Sequence, residues 1–473
     1  MQIIYIKEDK FRYDIHSLYK AFYPDEEVRV IVGEQGTDPE KEKDVSPSDE
    51  ISFIDVDKDK NDLKKSIYQD LSRKTGKLLP WGDLTGIRPT RIAMNLLEEG
   101  MSDDQIFSYM KETYLVSDDK INLSIDIAKR EKEILRDIDY KNGYSLYIGI
   151  PFCPTTCLYC SFTSYPIGAF SGIVDDYLEC VKKEIDYVAE TFADKTLDTV
   201  YVGGGTPTTL EPDQIRDLIS YLRKKVDLSR VKEFTVESGR PDSFTREKLK
   251  AMKEMGVTRI SVNPQTMSDE TLRLIGRRHT VAQLVDAFNM ARQEGFDNIN
   301  MDIILGLPGE DAQDVRHTIS EIKKLSPNDH TVHSLAIKRG SRLFEVIRER
   351  ELKGELKTSM TGSMNNTEEM MEIARSGAKE MGLLPYYLYR QKNISGNFEN
   401  TGYAEPGKAG IYNILINEEV QSIVALGAGT VTKRVYGEGG RIERCDNVKD
   451  VKLYMDSIDE MIGRKRKLFA QDA

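Results

Sequence analysis

The sequence predicts an α/β fold: a partial barrel of six strand–helix units, preceded by an α+β domain and followed by an α+β extension. Three observations carry that expectation. Between Tyr144 and Gly340, strand-like runs at Ser145–Ile150, Asp198–Val202, Glu233–Glu237, Arg259–Val262, Asn298–Ile304 and His330–Ala336 alternate with helical stretches, a pattern that builds a parallel, curled sheet. The stretches between them have helical periodicity; Asp213–Lys224 places Ile215, Leu218, Ile219 and Leu222 on one face. The distinctive short motifs fall at the C-terminal ends of the strands, where barrels of this kind build their active sites.

Ahead of the barrel, Gln2–Ile6, Val28–Val32 and Ile51–Val56 read as short strands, with a polar, turn-rich stretch at Gly33–Glu50. Residues 63–137 read mainly as helices, and the loop "PWGDLTGIRPTRIA" among them holds the sole tryptophan, Trp81, expected as an amphipathic anchor. Beyond Gly340, residues 365–381 read as a helix, Gln421–Arg444 as short strands around a glycine-rich turn, and Val448–Arg464 as a helix. The expected domains are therefore 1–140, with an open role, 141–340, the barrel, and 341–473, an extension packing on it. The basic run Arg464–Lys467 is expected as a solvated helix end, favoured by the helix dipole.

Composition narrows the function. Of 473 residues, 67 are basic and 79 acidic, a net charge of −12. That argues against broad nucleic-acid binding, which needs a basic surface, and leaves room for a small basic pocket. Lys7, Glu8 and Asp9 break the first apolar run, so no signal peptide is expected. No apolar run approaches the ~20 residues that span a bilayer. A cytoplasmic protein is expected, in which clustered cysteines point to metal or catalysis rather than disulfides.

Three of the five cysteines, Cys153, Cys157 and Cys160, stand in "YIGIPFCPTTCLYCSF" as C-x3-C-x2-C. Soft thiolates in one loop select zinc or an iron–sulfur cluster. Structural zinc asks for four protein ligands in paired spacing, and no histidine lies near. Three buried core cysteines fit poorly on a loop containing Pro154, Thr155 and Thr156. The remaining choice is a cubane with three irons held by cysteine and a fourth left open to a ligand.

With Tyr159 before the last cysteine, this motif resembles the signature of the radical S-adenosylmethionine enzymes. "YIGIPFC", "YVGGGTPTTL", "SVNPQT" and "DIILGLPGE" narrow the resemblance to the oxygen-independent coproporphyrinogen III oxidase (dehydrogenase) family, with its haem-chaperone relatives. "GIRPT" and "YRQKN" look most like its HemZ-type branch.

The resemblance implies a radical-SAM partial (β/α)6 barrel with a [4Fe–4S] cluster on Cys153, Cys157 and Cys160, and S-adenosylmethionine on the open iron. It implies that Tyr147 lies against cluster and cofactor and that Tyr159 contacts adenine. Gly203, Gly204 and Gly205, followed by Thr206, would receive the methionyl amine. Glu237 could accept from ribose hydroxyls or an ammonium, Gln265 offers the cofactor both a donor and an acceptor, Arg277 would pair with the carboxylate, and Asp302 and Ala336 would lie near the ribose and adenine. Candidate partners for substrate carboxylates are Arg278, Lys338, Arg339 and Arg342.

The implied reaction is oxidative decarboxylation of coproporphyrinogen III propionates to vinyl groups through a 5′-deoxyadenosyl radical, in anaerobic haem synthesis, with a flavodoxin or ferredoxin as electron donor. Three departures bear on it. The oxidase branch has a fourth cysteine where Phe162 stands, and the family usually carries a histidine at Gly149. The chaperone branch usually has a histidine where "PYYLYRQKN" has none. A haem-binding chaperone and a radical methyltransferase acting on a tetrapyrrole therefore stand as alternatives.

Overall fold

Five consecutive buried residues, QIIYI, make β1 (Gln2–Ile6) a strand covered on both faces. It runs between β2 (Val28–Val32) and β3 (Glu50–Ile54), parallel to both. Ile4 and Ile6 pack against Ile15, Leu18 and Phe22 of the helix Arg12–Phe22 and Leu63, Ile67 and Leu71 of the helix Lys60–Thr75. The second helix is bounded by local chemistry: Asp59 accepts from the Asn61 amide at 2.8 Å, and Gly76 ends it at φ 69°. Trp81 is fully buried and donates its indole N–H to Glu399 at 2.8 Å, the anchor expected of it.

The computed structural model describes residues 1–24, 26–33, 49–338, 340–352, 366–391, 397–437 and 440–470. Most of the polar stretch expected at Gly33–Glu50, the candidate Arg339 and Lys392–Asn393 of "PYYLYRQKN" lie outside the described residues. By packing, the chain forms one unit of Met1–Lys129 with Tyr389–Glu399, and a second of Arg130–Leu388 with Asn400–Ala473. The segment after Gly340 thus contributes to both, a division that differs from cuts at 140 and 340.

In the second unit, β4 (Gly143–Ile150) leads into a short parallel pair, β5 (Phe152–Cys153) with β6 (Tyr165–Pro166), in the cysteine region. Next come β7 (Thr196–Gly204), β8 (Glu233–Val236), β9 (Arg259–Ser261), β10 (Ile299–Leu305) and β11 (Asp329–Ser334). With β4 they lie side by side in chain order, all parallel, the winding of a partial (β/α)6 barrel. The helix Pro212–Lys225 buries Ile215, Leu218, Ile219 and Leu222, the face that its periodicity marks.

Six parallel strands leave two raw edges, and the C-terminal extension covers both. At one edge β13 (Asn400–Ala404) pairs antiparallel with β11, followed by β12 (Leu384–Tyr389). At the other, β14 (Ile423–Leu426) pairs parallel with β4 and carries the hairpin β15 (Val431–Tyr436) and β16 (Arg441–Asp446). The extension therefore continues the barrel sheet to eleven strands. The expected strands at Gln421–Arg444 are present; β12 and β13 carried no clear signal.

The barrel interior is polar, which explains why it needs that extension. Arg259 and Asp329, both buried, pair at 2.6 Å, and Tyr386 of β12 donates to the same carboxylate at 3.0 Å. Glu233 accepts from the Ile411 amide, at the start of the helix Ile411–Glu418, and Ser145 donates to Gln421 at 2.8 Å. Each of these groups would cost several kcal/mol if buried unpaired.

One expectation fails. Lys465, in the run read as a solvated helix end, is fully buried. Its ammonium donates to Glu184 at 2.6 Å and to Asn447 at 2.5 Å. Glu184, on the helix Val174–Thr191, also accepts from the Gly427 amide at 2.7 Å and the Tyr454 hydroxyl at 2.5 Å. The last helix, Ile458–Ala470, turns Ile458, Met461, Lys465 and Leu468 inward, so Lys465 takes a core position among apolar neighbours.

Candidate functional site

The cysteine loop leaves β4 and is pinned at many points. Leu158 donates its amide to Ile275 O at 2.9 Å and accepts from the Leu343 amide at 2.8 Å, while Thr155 Oγ1 reaches Gly276 O at 3.2 Å. Leu158 and Tyr159 pack onto Leu272, Ile275, Leu307, Leu335 and Leu343. Cys153 and Cys157 are buried and Cys160 is partly exposed. Burial pushes the Cys153 thiol up to about 11 and raises Cys160 too, so these sulfurs need a cation to stay ionised. Among the described residues, no three His, Cys, Asp or Glu side chains converge as ligands of a single ion. A cubane, which binds each thiolate through a different iron, does not ask them to.

The glycine run at the end of β7 seats this loop. The Gly205 amide donates to Ile150 O at 2.8 Å and the Thr206 amide to Phe152 O at 2.7 Å. A Cβ on Gly205 would meet Phe152 O at 2.6 Å, and Gly204 holds φ 107°. Buried Thr206 sends its hydroxyl to Cys153 Sγ at 3.4 Å. Gly203 is bare toward Glu237, whose Oε2 would lie 3.0 Å from an added Cβ. Two of the three glycines thus serve the close approach of strand and loop, and Gly203 lets the Glu237 carboxylate and the Tyr201 ring pack close against the strand.

Glu237 accepts from the Tyr201 hydroxyl at 2.6 Å. Tyr201 forms a three-ring cluster with Tyr147, 5.9 Å away, and Tyr412, 4.5 Å away, which are themselves 6.1 Å apart. Burial raises the Glu237 carboxyl to about 7, with the Asp302 charge adding and the Tyr201 bond opposing. Between the ordinary 4.5 and about 7, the folded protein holds a proton that the unfolded chain has lost, so stability falls as pH rises through that window. Urea unfolding of the cofactor-free protein should show this loss, at most about 3 kcal/mol, and Glu237→Gln should flatten it. An identical pH dependence in the variant would refute the assignment.

Asp302, on β10, accepts from Asn263 Nδ2 and Asn300 Nδ2, each at 2.7 Å, with His333 Nε2 at 3.9 Å. Gln265 holds φ 65°, fixed by its amide on Asp302 O at 2.9 Å and its carbonyl on the Ile304 amide at 3.0 Å. A left-handed non-glycine residue persists only where neighbours over-determine it.

Arg277 is buried. Nη1 donates to Asn263 O at 2.6 Å and Gly239 O at 3.3 Å, and Nη2 reaches the Tyr159 hydroxyl at 3.4 Å. Nε is buried with no hydrogen-bond partner among the described residues. That leaves the Nε–Nη2 edge under-used, the edge with which a guanidinium grips a carboxylate.

Ala336 lies two residues past β11, partly exposed. Arg278 and Arg342 are exposed, and Lys338 lies over the ring of Phe162, 5.6 Å from its centroid. At Gly149, a Cβ would meet Thr430 Cγ2 at 2.5 Å, so the extension fills the space a histidine would take. Three further residues of the site were not among the sequence candidates. Asn263 sits inside "SVNPQT" and was within reach. Buried Arg240 follows Glu237 in "VESGRPD" and touches the cysteine loop. Tyr412 comes from the extension and carried no signal.

Residues 147–322 match the Radical SAM superfamily. The chain is 40% identical over 417 residues to the oxygen-independent coproporphyrinogen-III oxidase-like protein HemZ of Bacillus subtilis, covering 87% of this chain and 81% of that one. It is 33% identical over 318 residues to the heme chaperone HemW of the same organism, covering 67% and 76%. Its fold resembles that of the coproporphyrinogen III oxidase HemN from Escherichia coli, with a TM-score of 0.51 at 20% identity, over 70% of this chain and 73% of that one.

A [4Fe–4S] cluster and S-adenosylmethionine are the cofactors of this superfamily. Three cysteines in one pinned loop, a carboxylate facing a bare glycine and a buried guanidinium with an orphaned N–H are a donor set that fits them. This chain belongs to the radical S-adenosylmethionine superfamily and, within it, to the family of oxygen-independent coproporphyrinogen III oxidase-like proteins.

Proposed function

We propose that this protein oxidatively decarboxylates propionate side chains of coproporphyrinogen III to vinyl groups. The observation that carries this reading is the pairing of Lys338 with Phe162 just past Cys160. An ammonium lies over a ring that is 69% exposed, a surface suited to an apolar macrocycle bearing carboxylates.

In this reading Cys153, Cys157 and Cys160 hold the cluster. The Arg277 Nε–Nη2 edge takes the methionyl carboxylate, and the Gly203–Gly205 turn with Thr206 lies along the methionyl amine. Glu237, Gln265, Asp302 and Ala336 face the nucleoside, with Tyr147 and Tyr159 flanking it. When bound, the cofactors supply a one-electron cleavage that yields a carbon radical able to take a hydrogen atom. Lys338 binds the substrate carboxylate and orients the propionate. Each propionate gives up its β-hydrogen atom, then CO2 and one electron, and becomes a vinyl group. That electron requires an external acceptor, and cluster reduction requires a donor of the flavodoxin or ferredoxin class. The reading includes a cytoplasmic location; among the described residues, no helix is long and apolar enough to cross a membrane.

Phe162, in place of the fourth cysteine of the oxidase branch, favours a second reading: haem binding and delivery, in line with the HemW relative, which is named a heme chaperone. An anaerobic assay separates them. Reconstituted, reduced protein with S-adenosylmethionine and coproporphyrinogen III should release two CO2 per tetrapyrrole, followed by mass spectrometry. Unchanged porphyrinogen alongside active cofactor cleavage would reject the first reading, and tight stoichiometric haem binding would then support the second.

A further inference from the structure

Arg240 is 4% exposed and lies three residues beyond Glu237, in a turn no cofactor role accounts for. Its Nε and Nη2 form a fork on Asp242, at 3.0 and 2.7 Å. Nη1 donates to Thr155 O at 2.9 Å and Nη2 to Thr155 Oγ1 at 2.9 Å. Nη1 also points at Cys157 Sγ, 3.5 Å away. The turn itself is braced: Ser243 Oγ donates to Arg240 O at 2.7 Å and shares a 2.6 Å bond with Thr208 Oγ1, in the glycine-run segment. One buried guanidinium thus ties the third strand's turn to the cysteine loop and aims an N–H at one of its sulfurs.

We infer that Arg240 is a positioning residue that sets the reduction potential of the cluster, through its N–H bond to the Cys157 sulfur and its charge. The inference rests on the reading that the three cysteines hold the cluster. Reduction adds one negative charge to the cluster, and a hydrogen-bond donor and a cation beside a ligating sulfur stabilise the reduced form. Asp242 offsets part of that charge. The pair Arg240–Asp242 therefore acts as a graded setting: removing the guanidinium lowers the potential, and removing the carboxylate charge raises it.

The test is a redox titration of anaerobically reconstituted protein, without S-adenosylmethionine or substrate, with iron and sulfide measured per chain. In Arg240→Gln, the ratio of reduced to oxidised cluster at the wild-type midpoint should fall about tenfold, which for one electron is about 59 mV. Arg240→Lys, which keeps a charge but loses the fork, should fall less. Asp242→Asn should shift the midpoint in the opposite direction. Full cluster content with an unchanged midpoint in Arg240→Gln overturns the inference. If that variant fails to hold a cluster, Asp242→Asn decides: a raised midpoint supports the inference, and an unchanged or lowered one overturns it. A wild-type protein that takes up no cluster overturns the cysteine assignment as well, so the two failures are distinguishable.

Discussion

Cys157→Ala should abolish cluster binding and cofactor cleavage together. Iron and sulfide per chain should fall sharply, and 5′-deoxyadenosine formation under dithionite should drop to background. The reason is arithmetic of ligands: on the proposed assignment three thiolates hold the cubane, and a protein that leaves one iron open cannot spare a second. Folding should survive, because Leu158 and Tyr159 anchor the loop through backbone bonds and apolar packing that the sulfur does not supply. Cys153→Ala and Cys160→Ala should behave alike. Cys180→Ala and Cys445→Ala should keep full cluster content, since one lies on the helix Val174–Thr191 and the other on β16. A Cys157→Ala protein that retains its iron and cleaves the cofactor would contradict the assignment.

Lys465→Met should destabilise the second unit by about 3–5 kcal/mol, the cost of stranding a buried charge. Glu184 would keep its bonds from Gly427, Asn447 and Tyr454 but lose the only ammonium that reaches it among the described residues. Removing both charges with Glu184→Gln and Lys465→Met should recover much of that loss, because no uncompensated ion remains. Denaturant unfolding of the two single variants and the double variant measures the coupling. Additive losses would show that Lys465 contributes packing alone.

The same lysine shows where sequence reading stops. Arg464, Lys465, Arg466 and Lys467 look alike in a string, and three of them do remain at or near solvent. Only the helix phase that also buries Met461 and Leu468 singles out Lys465, and its partner lies in a distant part of the chain. The parallel barrel was legible because each β–α unit repeats a local pattern, strand then amphipathic helix. The strands β12 and β13 were not, because they lie outside the repeating β–α units and take their place by pairing on β11, β13 directly and β12 beyond it.

The site divides in the same way. Cys153, Cys157, Cys160, Gly203–Thr206 and Arg277 stand in compact motifs, and the structure assembles them around one loop. Tyr412 could not be found from local pattern: it enters the barrel interior from the extension and stacks on Tyr201 only in the folded chain. Arg240 lay three residues from a named glutamate, yet an arginine after a strand is ordinarily a surface residue. Its bonds to Thr155, Cys157 and Asp242 distinguish it.

Label transfer tests the central claim most directly. Coproporphyrinogen III carrying deuterium at the β-carbons of its propionates would be incubated with reconstituted, reduced protein and S-adenosylmethionine, and the 5′-deoxyadenosine weighed by mass spectrometry. The account predicts one deuterium gained by deoxyadenosine for each vinyl group formed. Unlabelled deoxyadenosine with intact propionates would contradict it.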